Sequence, residues 1–422
     1  MLIEFRVSNF RSFHEEQVLS MVAGNVTELP ENVIDAPGGE KFRLLRSAAV
    51  YGPNASGKSN LVKAIAFFSG FVSSSAEKRE PDDVINRQHF ALNPRTSKLL
   101  TSFEASFLID GVRYQYGYAV GSKRVREEWL YAYPKSRAQK WFHRETDSRG
   151  VTTIDFGSSL LGAKQRLKDV TRADALFLSV AANWNHAQLT TVFEWIAYRL
   201  RHIYRDDTTH LRGYTAGKLR DEPAFHNAMV SLLRTADIGI RDVSVKAVTP
   251  AEVPSFDSLP MELREQVSSG DLLATYFVHA TTSGESEVSF HINEESDGTQ
   301  RLFDLFGPWW NCLEEGYTLF VDELDASMHP LLTRELVRSF NNPNINQKDA
   351  QLVFTTHDTS LLSETMLRRD QVWFTEKGGD GSTSLYSLHD YHEHRPRKGE
   401  AFERGYLSGR YGAIPDVSEL QF

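Results

Sequence analysis

The feature that most constrains the fold of this 422-residue chain is a glycine-containing loop between a strand-like and a helix-like segment. The loop fits the pattern G-x-x-x-x-G-K-[ST] and consists of Gly52, Pro53, Asn54, Ala55, Ser56, Gly57, Lys58 and Ser59. Backbone N–H groups of such a loop turn inward onto phosphate oxygens, and the following helix N-terminus adds the positive end of its dipole. We predict that Lys58 reaches the β- and γ-phosphates of ATP and that Ser59 ligates Mg²⁺.

A second motif places two acids directly after an apolar, strand-like run at 318–321. Asp322, at the strand end, is suited to a water-mediated contact with Mg²⁺, and Glu323 is suited to act as general base for the attacking water. A third motif follows one helix later, where His357 comes after a second apolar strand at 351–354. In a parallel sheet this position lies beside the γ-phosphate, so we predict that His357 takes part in hydrolysis.

Ser296 and Gly298 precede a predicted helix at 299–313. Small residues at a helix start can form an anion-binding nest, although Ser296 alone is also typical of a helix N-cap. Strands alternating with helices in the second half predict a mainly parallel sheet, and Asp110-Gly111 between two alternating runs predicts a β-hairpin in the first half. The stretch 160–270 is predicted to be mostly helical.

Together these motifs resemble the ABC-type ATPase head shared by SMC, RecF and RecN proteins. The first strand and the turn after it match at 5–13, Asn60 and Leu61 follow the loop as in the family, Asp325 matches the D-loop and His357 the switch histidine. The segment 296–301 resembles the signature motif, although Asp297 and Thr299 depart from its common S-G-G form.

The resemblance implies an α/β fold: an ABC-type P-loop head with an antiparallel β portion and a mainly helical inserted lobe. We predict four segments. Residues 1–150 form the N-terminal half of the head, 151–280 the helical insertion, 281–390 the C-terminal half of the head, and 391–422 a tail.

The resemblance also implies how the site is assembled. In this family ATP lies between the P-loop of one subunit and the signature serine of another, so Ser296 and Gly298 would act in trans within a homodimer or higher oligomer. Asn60 joins the nucleotide-binding residues, and Arg11 and Ser12 are expected to contact the sugar or phosphate side of ATP. The Q-loop residue, a further Mg²⁺ contact, is assigned to Gln88.

A narrower resemblance is to the compact RloA-like bacterial ATPases of phage-defence and restriction-linked operons. The residues that carry it are 322–325, 328–330 and the ending 406–415. This resemblance implies a separate effector protein, a Toprim-type nuclease. Two alternatives stay open: a RecF-like repair ATPase that clamps DNA directly, and a free-standing enzyme with its own site in the helical lobe or tail. The tail candidates for metal binding are His389, Asp390, His392, Glu393 and His394.

Composition and charge indicate which partners and which cellular compartment to expect. The net charge of −9 argues against a general polyanion binder, and the single cysteine, Cys312, excludes an internal disulfide and a multi-cysteine zinc site, which favours the cytoplasm. No apolar run approaches ~18 residues, so we expect no membrane contact. Nucleic acid remains a candidate partner because basic residues alternate with aromatic ones between Arg113 and Arg144, and a second basic stretch covers 199–212.

Overall fold

The computed structural model describes residues 1–77, 84–135, 137–205, 207, 209–236, 239–281, 286–391 and 401–415. These residues form two compact units, of which the first comprises Met1–Tyr204, Glu315–Leu324 and Val337–Phe422 and the second Arg205–Glu314 and Asp325–Leu336. These boundaries differ from the four predicted segments, and that division stays a prediction. Within the described ranges, no helix combines the length and the apolar composition needed to cross a bilayer.

The strands in chain order are β1 (Leu2–Ser8), β2 (Gln17–Ser20), β3 (Val33–Asp35), β4 (Arg43–Leu45), β5 (Ser47–Tyr51), β6 (Thr101–Ile109), β7 (Val112–Val120), β8 (Val125–Tyr133), β9 (Gln139–Thr146), β10 (Thr152–Phe156), β11 (Leu200–Ile203), β12 (Ile240–Ala247), β13 (Leu273–Ala280), β14 (Glu287–His291), β15 (Thr318–Val321), β16 (Gln351–Thr355), β17 (Val372–Lys377) and β18 (Thr383–Ser387). The helices are α1 (Lys58–Ser74), α2 (Lys164–Val170), α3 (Phe177–Asn183), α4 (Ala187–Glu194), α5 (Thr209–Asp221), α6 (Pro223–Ala236), α7 (Met261–Ser269), α8 (Asp297–Glu315), α9 (Pro330–Asn341) and α10 (Phe402–Leu407).

The first unit contains a mainly parallel sheet with the strand order β11-β15-β16-β5-β17-β18. Neighbours from β11 to β17 run parallel, and β18 runs antiparallel to β17. Every residue of β5, β15 and β16 is buried, which explains their uninterrupted apolar runs, because helices cover both faces of such sheets. The carboxyl ends of these three strands therefore meet at one edge of the sheet.

A second, antiparallel sheet in the same unit has the order β10-β9-β8-β7-β6-β1-β2. Its inner face packs on α1 through aromatic rings: the centroid of Phe68 lies 5.7 Å from that of Phe5 and 5.6 Å from that of Tyr118. The predicted hairpin is confirmed as β6–β7, and Asp110 and Gly111 both take the left-handed backbone that its two-residue turn requires (φ 47° and 76°).

The second unit combines helices with a three-stranded antiparallel sheet, β12-β13-β14. Helices α5–α7 belong to this unit and α2–α4 to the first, and all of them lie within 151–280, the segment predicted to be a mainly helical insertion. The stretch 160–270 is mostly helical, as predicted, and also contains the strands β11 and β12, which were not predicted. Strand β12 forms by pairing with β13, and that partner lies outside the local window from which a helix or a strand is predicted.

Candidate functional site

The glycine-containing loop spans the gap between the end of β5 and the start of α1. Its backbone is left-handed at Gly52, Ala55 and Gly57 (φ 152°, 62° and 112°). A Cβ atom on Gly57 would lie 2.3 Å from the Thr383 hydroxyl, and one on Gly52 would lie 2.4 Å from the Thr375 carbonyl oxygen. Both glycines are therefore required by backbone conformation and by close packing.

Lys58 is buried and lies across the loop, where its Nζ donates to the carbonyl oxygens of Gly52 (2.7 Å) and Pro53 (3.1 Å). Helix α1 begins at Lys58, and in the described part of the chain no side chain caps it. An uncapped helix start beside a cation is suited to bind phosphate. Asn54 and Ala55 are exposed, so the outside of the loop is accessible. These residues fit the phosphates of a nucleotide.

Hydroxyl groups from strands that are distant in the sequence form hydrogen bonds with the loop. The Ser56 hydroxyl lies 2.6 Å from that of Thr375 on β17, and Thr383 on β18 donates to the Ser56 carbonyl (2.7 Å), while its oxygen lies 2.8 Å from the Ser12 hydroxyl. The Asn60 amide also donates to the Ser12 hydroxyl, at 2.7 Å. Ser12 and Asn60, which were predicted to contact ATP, are thus joined by a hydrogen bond. Their contacts with a nucleotide stay predictions. Sequence analysis missed Thr375 and Thr383.

Arg11 and Gln88 lie beside each other, because the Arg11 backbone N–H donates to the Gln88 carbonyl at 2.6 Å. Both residues have a left-handed backbone (φ 49° and 48°), which is uncommon for these residue types. Among the described residues, the buried Nε of Arg11 has no hydrogen-bond partner. The predicted roles of Arg11 toward ATP and of Gln88 toward Mg²⁺ stay predictions.

The acid pair after β15 is held by one threonine at the end of the neighbouring strand. The Thr355 hydroxyl donates to the buried Asp322 carboxylate (2.7 Å) and accepts from the backbone N–H of Glu323 (2.7 Å). Glu323 has a left-handed backbone (φ 49°), a strained conformation for a glutamate that is common at functional sites. Thr355 therefore holds the Asp322 carboxylate and the backbone of Glu323, a role that its place at the end of an apolar run did not indicate.

We expect Thr355→Val to lower the rate of ATP hydrolysis by roughly tenfold, because the isosteric side chain cannot hold the Asp322 carboxylate or the Glu323 N–H. Thr355→Ser keeps the hydroxyl and is the matched control, with a rate near that of wild type. Steady-state phosphate release checks both variants. Equal rates for wild type and Thr355→Val would show that this hydroxyl is not needed.

His357 is exposed and follows the end of β16 at the same sheet edge. The backbone around it is anchored: Thr356 donates its N–H to the Val50 carbonyl (3.2 Å), and Asp358 caps the 3-10 turn Thr359–Leu361 by accepting from Ser360 (2.9 Å). The sheet thus brings the P-loop, the acid pair and His357 to neighbouring strand ends, since Thr355 pairs with Val50.

The predicted signature residues lie in the second unit. Ser296 caps α8, because its hydroxyl accepts from the N–H of Thr299 (3.1 Å) and its carbonyl accepts from that of Gln300 (2.9 Å). Gly298 is closely packed, and a Cβ atom there would lie 2.7 Å from the Ser327 carbonyl oxygen. Ser296, Gly298 and Ser327 line a cavity of about 350 Å³. The structure supports the N-cap interpretation, while the role of Ser296 and Gly298 toward phosphate stays a prediction.

The basic and aromatic stretch and the candidate metal residues of the tail were also predicted as possible sites. Arg144, at the end of the basic and aromatic stretch, is fully buried and paired with Glu128 at 3.5 Å, so it belongs to the core rather than to a basic surface. In the tail, Asp390 exchanges hydrogen bonds with Ser387. His392, Glu393 and His394 lie outside the described residues.

Comparison with known proteins identifies a matching protein family. A family model described as "AAA domain, putative AbiEii toxin, Type IV TA system" matches residues 47–363, about three quarters of the chain. No curated protein matches the chain.

Two Smc heads are among the solved structures that are similar to the chain. One is an Smc head bound to the C-winged helix domain of ScpA, with 13% identity and a TM-score of 0.50 over 92% of this chain and 97% of that one. The other is an Smc head domain with an extended coiled coil, bound to the C-terminal domain of ScpA and derived from Pyrococcus furiosus, with 11% identity and a TM-score of 0.39 over 92% and 96%. The first likeness bears on the fold alone, which is that of an ABC-type ATPase head, as predicted.

Proposed function

The chain belongs to the AAA family whose model covers residues 47–363, and from that premise we propose that it binds ATP with Mg²⁺ and hydrolyses the bond between the β- and γ-phosphates, which releases ADP and phosphate. The observation that carries this proposal is the Thr355 hydroxyl, which holds Asp322 and Glu323 at the same sheet edge as the P-loop. A phosphate-binding loop and two carboxylic acids at one sheet edge form the combination that phosphoanhydride hydrolysis needs.

Each residue has a separate task in the proposed reaction. Lys58 moves from the Gly52 and Pro53 carbonyls onto the phosphates, where it stabilises negative charge. Ser59 and Asp322 are the residues that would hold Mg²⁺, which supplies further neutralisation of the phosphate oxygens when bound. Glu323 accepts the proton of the attacking water, and His357 orients the γ-phosphate end.

We further propose that two subunits share each ATP. Ser296 and Gly298, at the start of α8, line a cavity of about 350 Å³, and the Ser296 hydroxyl, which accepts from the Thr299 N–H, still has its own proton to donate to the γ-phosphate held by the P-loop of another subunit. Such a dimer would close when ATP is bound and open after hydrolysis, and an effector that binds only one of the two forms would respond to the bound nucleotide. The RloA-like motifs favour a separate effector, a Toprim-type nuclease, and the family's description as a putative AbiEii toxin of a Type IV toxin–antitoxin system favours a role in phage defence.

Mixing two inactive variants tests the shared site. A Lys58→Ala subunit still offers its signature, and a Ser296→Arg subunit still offers its P-loop, so a mixed dimer keeps one complete site of two. We expect each variant alone to be inactive and the mixture to regain about a quarter of wild-type hydrolysis if subunits exchange freely. Activity that stays at the level of the separate variants, with exchange shown by native mass spectrometry, would contradict the shared site.

The effector is tested by affinity capture from native lysate with ATP or ADP, with and without nuclease treatment. A protein retained only with ATP and after nuclease treatment is expected. Recovery of DNA alone would favour the DNA-clamping alternative.

A further inference from the structure

The first residue of β18, Thr383, contacts the phosphate-binding loop directly. Thr383 is buried, and its backbone N–H donates to the Ser12 carbonyl at 2.7 Å. Its hydroxyl oxygen lies 2.7 Å from the Ser56 carbonyl oxygen and 2.8 Å from the Ser12 hydroxyl. The packing is close, since a Cβ atom on Gly57 would lie 2.3 Å from the Thr383 hydroxyl. One side chain therefore contacts both the loop and the turn that follows β1.

The direction of these hydrogen bonds follows from the protons that each group has to donate. The Ser56 carbonyl can only accept, so the Thr383 hydroxyl uses its one proton there. The contact between the two hydroxyls then requires the proton of Ser12. Ser12 in turn accepts from the Asn60 amide of α1, at 2.7 Å. These bonds form one chain with a single direction, which starts at the Asn60 amide and ends at the Ser56 carbonyl.

The end of this chain fixes the peptide group between Ser56 and Gly57. This peptide bond is trans, so its C=O and its N–H point in opposite directions. Because the Ser56 carbonyl is held toward Thr383, the Gly57 N–H is directed away from β18. The bond from Thr383 therefore stabilises one orientation of this N–H and opposes rotation of the peptide group.

We propose that Thr383 is a positioning residue for ATP binding, which holds the peptide between Ser56 and Gly57 with its N–H toward the phosphates. This inference rests on the proposed function and deepens it, because backbone N–H groups of such loops bind phosphate oxygens. Thr383 acts through the loop and not by contact with ATP. A loop that is ordered before ATP binds loses less conformational entropy on binding, which raises the affinity.

Ser12 has a supporting role in the same arrangement. While the chain of hydrogen bonds is intact, the Ser12 hydroxyl donates to Thr383 and has no proton left for a phosphate oxygen. Loss of the Ser12 hydroxyl would leave the bond from Thr383 to the Ser56 carbonyl in place. The inference therefore predicts a larger effect on ATP binding for removal of the Thr383 hydroxyl than for removal of the Ser12 hydroxyl.

Calorimetric titration with a non-hydrolysable ATP analogue and steady-state kinetics with ATP test the role of the Thr383 hydroxyl. Thr383→Ala and Thr383→Ser both lack the buried methyl group and differ only in the hydroxyl. We expect Kd and KM to rise about tenfold in Thr383→Ala with kcat nearly unchanged, and Thr383→Ser to restore both to within about twofold of wild type. Ser384→Ala, at the exposed next position of β18, is the control and should match wild type.

Ser12→Ala is the second variant, and it keeps the inference testable if Thr383→Ala does not fold. We expect its Kd for the analogue to rise only about twofold, since the bond from Thr383 to the loop remains. Thermal unfolding shows that each variant is folded at the temperature of the titration.

The outcomes separate the inference from the proposed function. Three results would each overturn the inference alone: equal affinities in Thr383→Ala and Thr383→Ser, a fall in kcat in place of the rise in KM, or a loss of affinity beyond about tenfold in Ser12→Ala. A wild-type protein that neither binds nor hydrolyses ATP would overturn the proposed function, and the inference with it.

Discussion

The Glu323→Gln variant is expected to bind ATP with wild-type affinity and to hydrolyse it at least ~100-fold more slowly, since general-base catalysis typically contributes a factor of that size or more. The amide has the shape of the carboxylate and cannot accept the proton of the attacking water. The Glu323 N–H would keep its bond to the Thr355 hydroxyl, so the loop geometry is retained. Single-turnover hydrolysis and equilibrium binding of ATP measure the two properties separately.

Glu314→Gln is the matched control, because Glu314 is an exposed glutamate on α8. It should hydrolyse ATP at the wild-type rate. If Glu323→Gln turned over ATP as fast as this control, Glu323 would not be the base. The bonds from Thr355 to Asp322 and Glu323 would then need another explanation.

The second large effect is expected for Lys58→Ala, which should weaken ATP binding by at least ~100-fold because charge-assisted bonds to phosphate are lost. Lys58 now donates to the carbonyls of Gly52 and Pro53, and its removal leaves both without that donor. The expected cost to the free energy of unfolding is about 1 kcal/mol, so the fold should persist. Filter binding measures the affinity, and thermal unfolding checks the fold.

Lys63→Ala is the control for this change, since Lys63 lies on the same helix, α1, away from its start. Its affinity for ATP should match wild type. Retained ATP binding by Lys58→Ala would contradict the assignment of residues 52–59 as the phosphate-binding loop.

The parts of the fold that the sequence predicts well are those set by local pattern. The buried strands β5, β15 and β16 are continuous apolar runs, and a turn at Asp110-Gly111 requires a left-handed backbone that these residues allow. The P-loop and the acids after β15 follow from the same local signals. Their meeting at one sheet edge follows from parallel strand order.

The parts that the sequence does not reveal depend on pairing between distant residues. Thr375 and Thr383 contact the P-loop only because β17 pairs with β5 and β18 pairs with β17. Both threonines lie more than three hundred residues after the P-loop in the sequence. Arg144 looks like part of a basic surface in the linear sequence, yet strand register turns it toward Glu128 in the core. The packing of the Tyr406 ring on that of Tyr51, with centroids 5.8 Å apart, is also not predictable from the local sequence.

Sedimentation velocity of Glu323→Gln with ATP and Mg²⁺ tests the central claim most directly, because this variant should accumulate the ATP-bound state. We predict a dimer that forms with ATP and dissociates with ADP or when Ser296→Arg is added to the variant. A protein that sediments only as a monomer with saturating ATP bound would contradict the shared site and the ATP-driven dimer.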